Sequence, residues 1–151
     1  AVMRGKDNAV GIGVVEAYDL DRYANSKLAN ISTRGLVQTG DNVLFAGTIV
    51  LGSAPQKVII RALGPSLSVP GKLEDPTLEL HDSNGAVLQA NDNWVDSPNK
   101  QAIIDTTIPP TNDLESAIIA TLPANTSSYT AIVRGVNNAG GIAVVEVYAL
   151  N

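Results

Sequence analysis

The chain has 151 residues, no cysteine, 10 Lys and Arg against 15 Asp and Glu, and a formal net charge of −5. That length suits one domain that buries a core without staples, and the missing thiols exclude disulfide frameworks, thiolate metal sites and cysteine nucleophiles. Basic residues are scattered singly, which argues against nucleic acid as a partner, and no apolar run approaches the roughly 20 residues needed to span a bilayer. Abundant Val, Ile and Thr, 13 Gly, 8 Pro and only 17 % charged residues point to an all-β chain of short strands and tight turns.

The chain opens on a copy of its own end. Residues 1–21 laid on residues 131–151 without a gap, an offset of 130, give 12 identical pairs, among them Arg4/Arg134, Gly5/Gly135, Asn8/Asn138, Gly11/Gly141, Glu16/Glu146 and Tyr18/Tyr148. Self-similarity at a fixed offset marks one period of a tandem array preceded by the tail of the previous period. The first residues lack the charged and apolar regions of a signal peptide and do not begin with Met, so a processed or excised piece of something longer is expected. Residues 1–20 then read as the closing hairpin of a preceding repeat or as a strand-donating segment. Val2, Arg4, Ile12, Val14, Val15, Glu16 and Tyr18 are its expected inter-module contacts.

A polar, aperiodic stretch from Asp19 leads into an expected linker at 21–29, and a β-sandwich repeat is expected over 30–151. Strand-like runs follow at Asn30–Val37, Val43–Leu51, Lys57–Leu63, Thr77–Asp82, Ala86–Ala90, Glu115–Leu122, Tyr129–Gly135 and Ile142–Tyr148. Ser83-Asn84-Gly85 between two alternating runs predicts a hairpin. Ser97-Pro98 predicts the start of a short helical turn over 99–104. Val136-Asn-Asn-Ala-Gly-Gly, rich in residues that take positive φ, predicts a second hairpin, with Arg134 and Glu146 paired across it and Val145 and Val147 facing a core. About eight short, regularly spaced strands predict an antiparallel β-sandwich of jelly-roll or immunoglobulin-like form, with the N-terminal hairpin duplicating the C-terminal one.

The stretch PTLELHDSNGAVLQANDNW, followed by ESAIIATLPANTSSYTAIVRGVNNAGGIAVVEVY, resembles bacterial pre-peptidase C-terminal domains over about residues 76–148, with Asn125-Thr-Ser-Ser standing where that family usually has Gly. The larger unit, carrying ANISTRGLVQTGDNVLFAGTIV and KVIIRALGPSL, is similar to a repeat that recurs many times in very large secreted and surface proteins of environmental bacteria. That resemblance implies an extracellular structural or adhesive module and brings no catalytic residues.

Candidate chemistry is sparse. Asp82, Asn84, Asn91, Asp92 and Asn93 are oxygen ligands on two adjacent strand ends, a set that suits Ca²⁺; Asp-Ser-Asn-Gly and Asn-Asp-Asn are equally plain turn formers, the reading preferred. Trp94 is the one aromatic candidate for a sugar platform, with a core-covering role preferred. His81, the single histidine, has no G-x-S-x-G elbow to serve and reads as a surface strand end. No two of Glu115, Asp113, Asp105 and Asp96 are placed by sequence at a glycosidase separation. Asn30-Ile-Ser and Asn125-Thr-Ser are glycosylation triplets.

The expectation is therefore a non-enzymatic extracellular module without a cofactor, a subunit or tandem repeat of a cell-surface filament, fibre or stalk. Its partners would be copies of itself or adjacent repeats, joined head to tail. The alternative is a carbohydrate-binding or adhesive module of a large secreted protein, with surface polysaccharide as its partner.

Overall fold

The computed structural model describes residues 1–20, 29–124 and 128–150. Apart from residue 29, the expected linker lies outside the described residues, as does the Asn125 triplet. Among the described residues eight strands form: β1 (Asn30–Val37), β2 (Leu44–Ile49), β3 (Gln56–Leu63), β4 (Pro76–His81), β5 (Val87–Asn91), β6 (Ser116–Leu122), β7 (Ser128–Gly135) and β8 (Gly141–Leu150). Each falls within a residue or two of the run read from the sequence, because β-branched residues alternating with polar ones pack well on a half-buried pleated surface.

The strands build two antiparallel sheets in the orders β1-β8-β3-β6 and β2-β7-β4-β5. This is the jelly-roll order, in which most consecutive strands lie in opposite sheets. Between the sheets Val58, Ile60, Ile118, Leu122, Val145 and Val147 face Ala46, Leu78, Leu80, Ala131 and Val133. A second apolar cluster forms on the outer side of the first sheet. There Ile59 of β3 and Ala117 of β6 are covered by Trp94 and by Ile103 of α1 (Lys100–Asp105). Ser97 opens this segment as expected, its hydroxyl accepting from the Asn99 amide at 3.1 Å and its carbonyl from Lys100 at 3.0 Å.

One connection corrects the sequence reading. β4 and β5 form the expected hairpin around Ser83-Asn84-Gly85, with Gly85 at φ 82°. Residues 128–150 do not form a hairpin. β7 lies in one sheet and β8 in the other, so the turn between them is an arch across the core. Each strand has one apolar face, and the arch lets those faces oppose each other where a hairpin would set them side by side. Arg134 and Glu146 consequently sit on opposite outer surfaces and cannot pair. Arg134 approaches Glu79 at 4.0 Å, and Glu146 is taken by Arg61.

Candidate functional site

The arch is built from a local device. In Val136–Asn138 the residues Asn137 and Asn138 take φ of 54° and 60°, and the Ala139 amide donates to the Val136 carbonyl at 3.0 Å. Asparagine tolerates this left-handed region better than most side chains, which is why the pair stands there. Gly135 has no room for a side chain, because a Cβ would come within 2.2 Å of the Ala139 oxygen.

Beyond the arch, β8 is an interior strand bonded to β1 on one side and β3 on the other. Its outward Glu146 is caught between both neighbours. It accepts from Ser32 of β1 at 3.1 Å and from the Nε of Arg61 of β3 at 3.0 Å, with Nη2 of Arg61 also on the same carboxylate. Arg61 is completed by the Ile108 carbonyl at 2.8 Å and by the Tyr148 ring, whose centroid lies 5.1 Å from its guanidinium carbon. With side chains only 14 % and 12 % exposed, Arg61 and Glu146 form a largely desolvated, multiply bonded pair. At the start of β8, Gly141 lies under the backbone of residues 71–73, where a Cβ would meet the Leu73 nitrogen and Cα at 2.6 Å. The Ile142 amide donates to Gly71, and Leu73 donates back to Ile142, each at 2.8 Å.

Residues 1–20 repeat this device without its surroundings. Asp7 and Asn8 take φ of 53° and 60°, and Ala9 donates to Lys6 at 3.0 Å. The flanking residues form no strand and are exposed throughout. Val15 is 50 % exposed where Val145 is 0 %, and Val2, Met3, Ile12, Val14 and Tyr18 are likewise open. Each large apolar side chain left out of a core forgoes about 1.5–3 kcal/mol. Glu16, which meets no arginine among the described residues, accepts from the Tyr18 hydroxyl at 3.1 Å, and that bond raises the Tyr18 pKa.

Three further positions take their meaning only from the folded copy. Gly11, the counterpart of Gly141, has open space where its Cβ would be, so none of the described residues requires glycine there. Met3 and Gly13 stand for Val133 and Ala143, both wholly buried. The larger residue is matched by the smaller, and the Met3 methyl lies 2.2 Å from the place of a Cβ on residue 13. Volume-conserving exchange of this kind is what a packed core tolerates. The sequence shows the Gly11/Gly141 identity but not its role, and Met3 and Gly13 are not conspicuous until their counterparts are seen buried.

Most of the remaining candidates have partners within the fold, while the Asn93 Oδ1 is buried without one. Asp82 accepts from the Asn84 and Ala86 amides, each at 2.9 Å, and those bonds lower its pKa. Asn91 accepts from the Ala117 amide at 2.9 Å and donates to the Asn93 carbonyl at 3.1 Å, while the Asp92 carbonyl takes the Ser116 hydroxyl. Among the described residues no three His, Cys, Asp or Glu side chains gather in an arrangement that would hold a metal ion. Trp94 is 9 % exposed and donates its indole N–H to the Asn112 carbonyl at 3.0 Å, so its ring is packed away. His81 bonds the Gly85 carbonyl and Glu79, both at 3.0 Å.

Glu115 is wholly buried and accepts from the amides of Gly64 and Ser66 at 3.1 Å and of Asn112 at 3.3 Å, tying the turn after β3 to the start of β6. Asp96, Asp105 and Asp113 are exposed. A cavity of about 300 Å³ beside the arch is lined by Asp41, Arg134 and Asn138 and includes none of these acids. Asp75, unremarked in the sequence, has a buried carboxylate oxygen without a partner; burial and nearby Asp92 raise its pKa.

No family model matches the chain, and no curated protein matches it by sequence. Among solved structures, the pre-peptidase C-terminal domain of a collagenase from Bacillus anthracis is similar to it at 14 % identity and a TM-score of 0.48, covering 79 % of this chain and 89 % of that one. Among the described residues no helix is long and apolar enough to cross a membrane.

Proposed function

We propose that the protein is a non-enzymatic structural module of an extracellular or cell-surface filament, a linear string of jelly-roll sandwiches in which residues 1–20 supply the closing arch of the preceding unit, from the end of its seventh strand through its eighth. One observation carries this reading: residues 1–20 form the same arch turn as residues 131–150 yet leave exposed the side chains that the second copy buries. A segment with an apolar face and unpaired amides is stable only on a sheet, and its own sheet already holds β8. Joining through an added strand gives a head-to-tail contact that extends without closing. The similarity of the repeat to those of large secreted proteins supports the extracellular setting. A glycan-binding role is favoured by no observation, since Trp94 is packed beneath α1.

Electron microscopy of the native assembly tests the reading. Rods with an axial repeat of one sandwich are expected, and dispersed particles without a repeat would sink it. Intact mass under denaturing conditions separates the two forms of the string. A value near 15.7 kDa means separate subunits, and one many times larger means a tandem polypeptide.

A further inference from the structure

We infer that the acceptor for residues 1–20 is a sandwich of this chain's own type, selected by a strand arginine placed as Arg61 that takes Glu16, and by a crossing segment placed as Gly71–Leu73 that packs on Gly11. The inference rests on the reading above and adds what makes the docking specific. Backbone bonding alone would let residues 11–20 join any open sheet edge in any register. Two features of the segment forbid that freedom.

The first is charge. Glu16 is the counterpart of Glu146, which is held by Arg61 from β3 and Ser32 from β1. In a place like that of β8, Glu16 would exchange the Tyr18 hydroxyl for a guanidinium, and Tyr18 would lie beside the same arginine as Tyr148 does. A slip of one residue turns Glu16 into the core. A slip of two sets Val14 or Tyr18 against the arginine and leaves a largely buried charge unpaired, which is strongly unfavourable.

The second is closeness. Among the described residues a Cβ on Gly11 would meet nothing within 4 Å, whereas at Gly141 the backbone of Leu73 passes too near for any side chain. A sheet without that crossing segment would have no use for glycine here. One with it accepts only glycine. Positions 11 and 16 therefore read the acceptor at two points, one steric and one electrostatic, and together they fix strand identity and register.

The test joins residues 29–130 directly before Ala1 of the full chain, so that residues 1–20 stand where 131–150 stand. Each unit then carries one Trp94, and Trp94→Phe in either unit leaves the other as sole reporter. Both tryptophans are expected to be buried and to unfold cooperatively. Glu16→Arg or Gly11→Ala should lower the urea midpoint of the first unit alone, and Arg61→Glu in the first unit should recover at least half of the Glu16→Arg loss. The same two substitutions in the 151-residue chain should leave its midpoint unmoved, which separates lost docking from general damage. If the first unit folds but is indifferent to Glu16→Arg and Gly11→Ala, or if the charge exchange rescues nothing, the recognition inferred here is overturned. If the first unit stays unfolded in the parent polypeptide, the reading of residues 1–20 as its closing arch and strands fails instead.

Discussion

Asn8 and Asn138 occupy the same place in two copies of one turn, and both hold φ at 60°, although only Asn138 lies between strands that belong to sheets. The turn is thus written in its own few residues, and the pairing of its arms is supplied from elsewhere. Gly135→Ala puts a Cβ 2.2 Å from the Ala139 oxygen and 2.8 Å from Leu73 Cδ1, and should cost at least about 2 kcal/mol of stability through forced backbone shifts. Gly5→Ala strains the equivalent turn but touches nothing in the sandwich, and should leave the thermal midpoint of the chain unchanged. Circular dichroism melts of the two variants make the comparison.

Removing Glu115 strands buried donors. Glu115→Ala leaves the amides of Gly64, Ser66 and Asn112 without an acceptor and opens a cavity, a loss of about 3 kcal/mol or more. Glu115→Gln keeps one acceptor oxygen and should lose about half as much. Urea unfolding followed by Trp94 fluorescence reads both, because Trp94 bonds Asn112 and donates its backbone amide to the Glu115 carbonyl.

The Arg61–Glu146 pair should behave as a unit. Either Arg61→Met or Glu146→Leu alone leaves a largely buried charge unpaired and is expected to cost about 2–4 kcal/mol, whereas the double variant should recover much of that. A double-mutant cycle with a coupling below about 0.5 kcal/mol would show that the two charges act independently.

The His81 ring bonds the Gly85 carbonyl, then Glu79, and these interactions raise its pKa above 6.5, outweighing burial and the opposing charge of Arg134. A raised folded-state pKa means that folding favours the protonated ring. The stability gained is present in full below pH 6.5 and is lost as pH rises through the raised folded value. Unfolding midpoints should therefore fall as pH rises from 6.5 through the raised folded value, and His81→Gln should flatten that slope.

Limited trypsinolysis should cut first after Arg4 or Lys6, which stand in an exposed segment, and leave Arg61 uncut until the sandwich unfolds. Mass spectrometry of the early fragments checks the order. Early cleavage at Arg61 would mean that the first sheet opens without global unfolding.

Much of the sandwich was legible because alternation carries it. Val145 and Val147 read inward and Glu146 and Tyr148 outward, and the structure puts them so. The Asn84-Gly85 hairpin was legible for the same local reason. What could not be read was the partner of each strand. A left-handed asparagine pair serves a hairpin and an arch equally well, since either needs the chain to reverse within four residues. Only the opposition of Ala131 and Val133 to Val145 and Val147 across the core selects the arch, and that opposition is a property of all eight strands together.

The candidate site divides the same way. That residues 1–20 copy residues 131–150 is plain in the sequence, and it supplied Val2, Arg4, Ile12, Val14, Val15, Glu16 and Tyr18 as expected contacts. The meaning of Gly11, Gly13 and Met3 was not plain, because the reason for each is a neighbour that only the folded copy possesses. The 130-residue period, the strand runs and the turn chemistry were determined by the sequence alone, through propensities that act over a few residues. The central place of β8, the engagement of Glu146 by Arg61 and the crossing over Gly141 were decided by tertiary structure, because each joins segments 68 to 118 residues apart that meet only when the core closes.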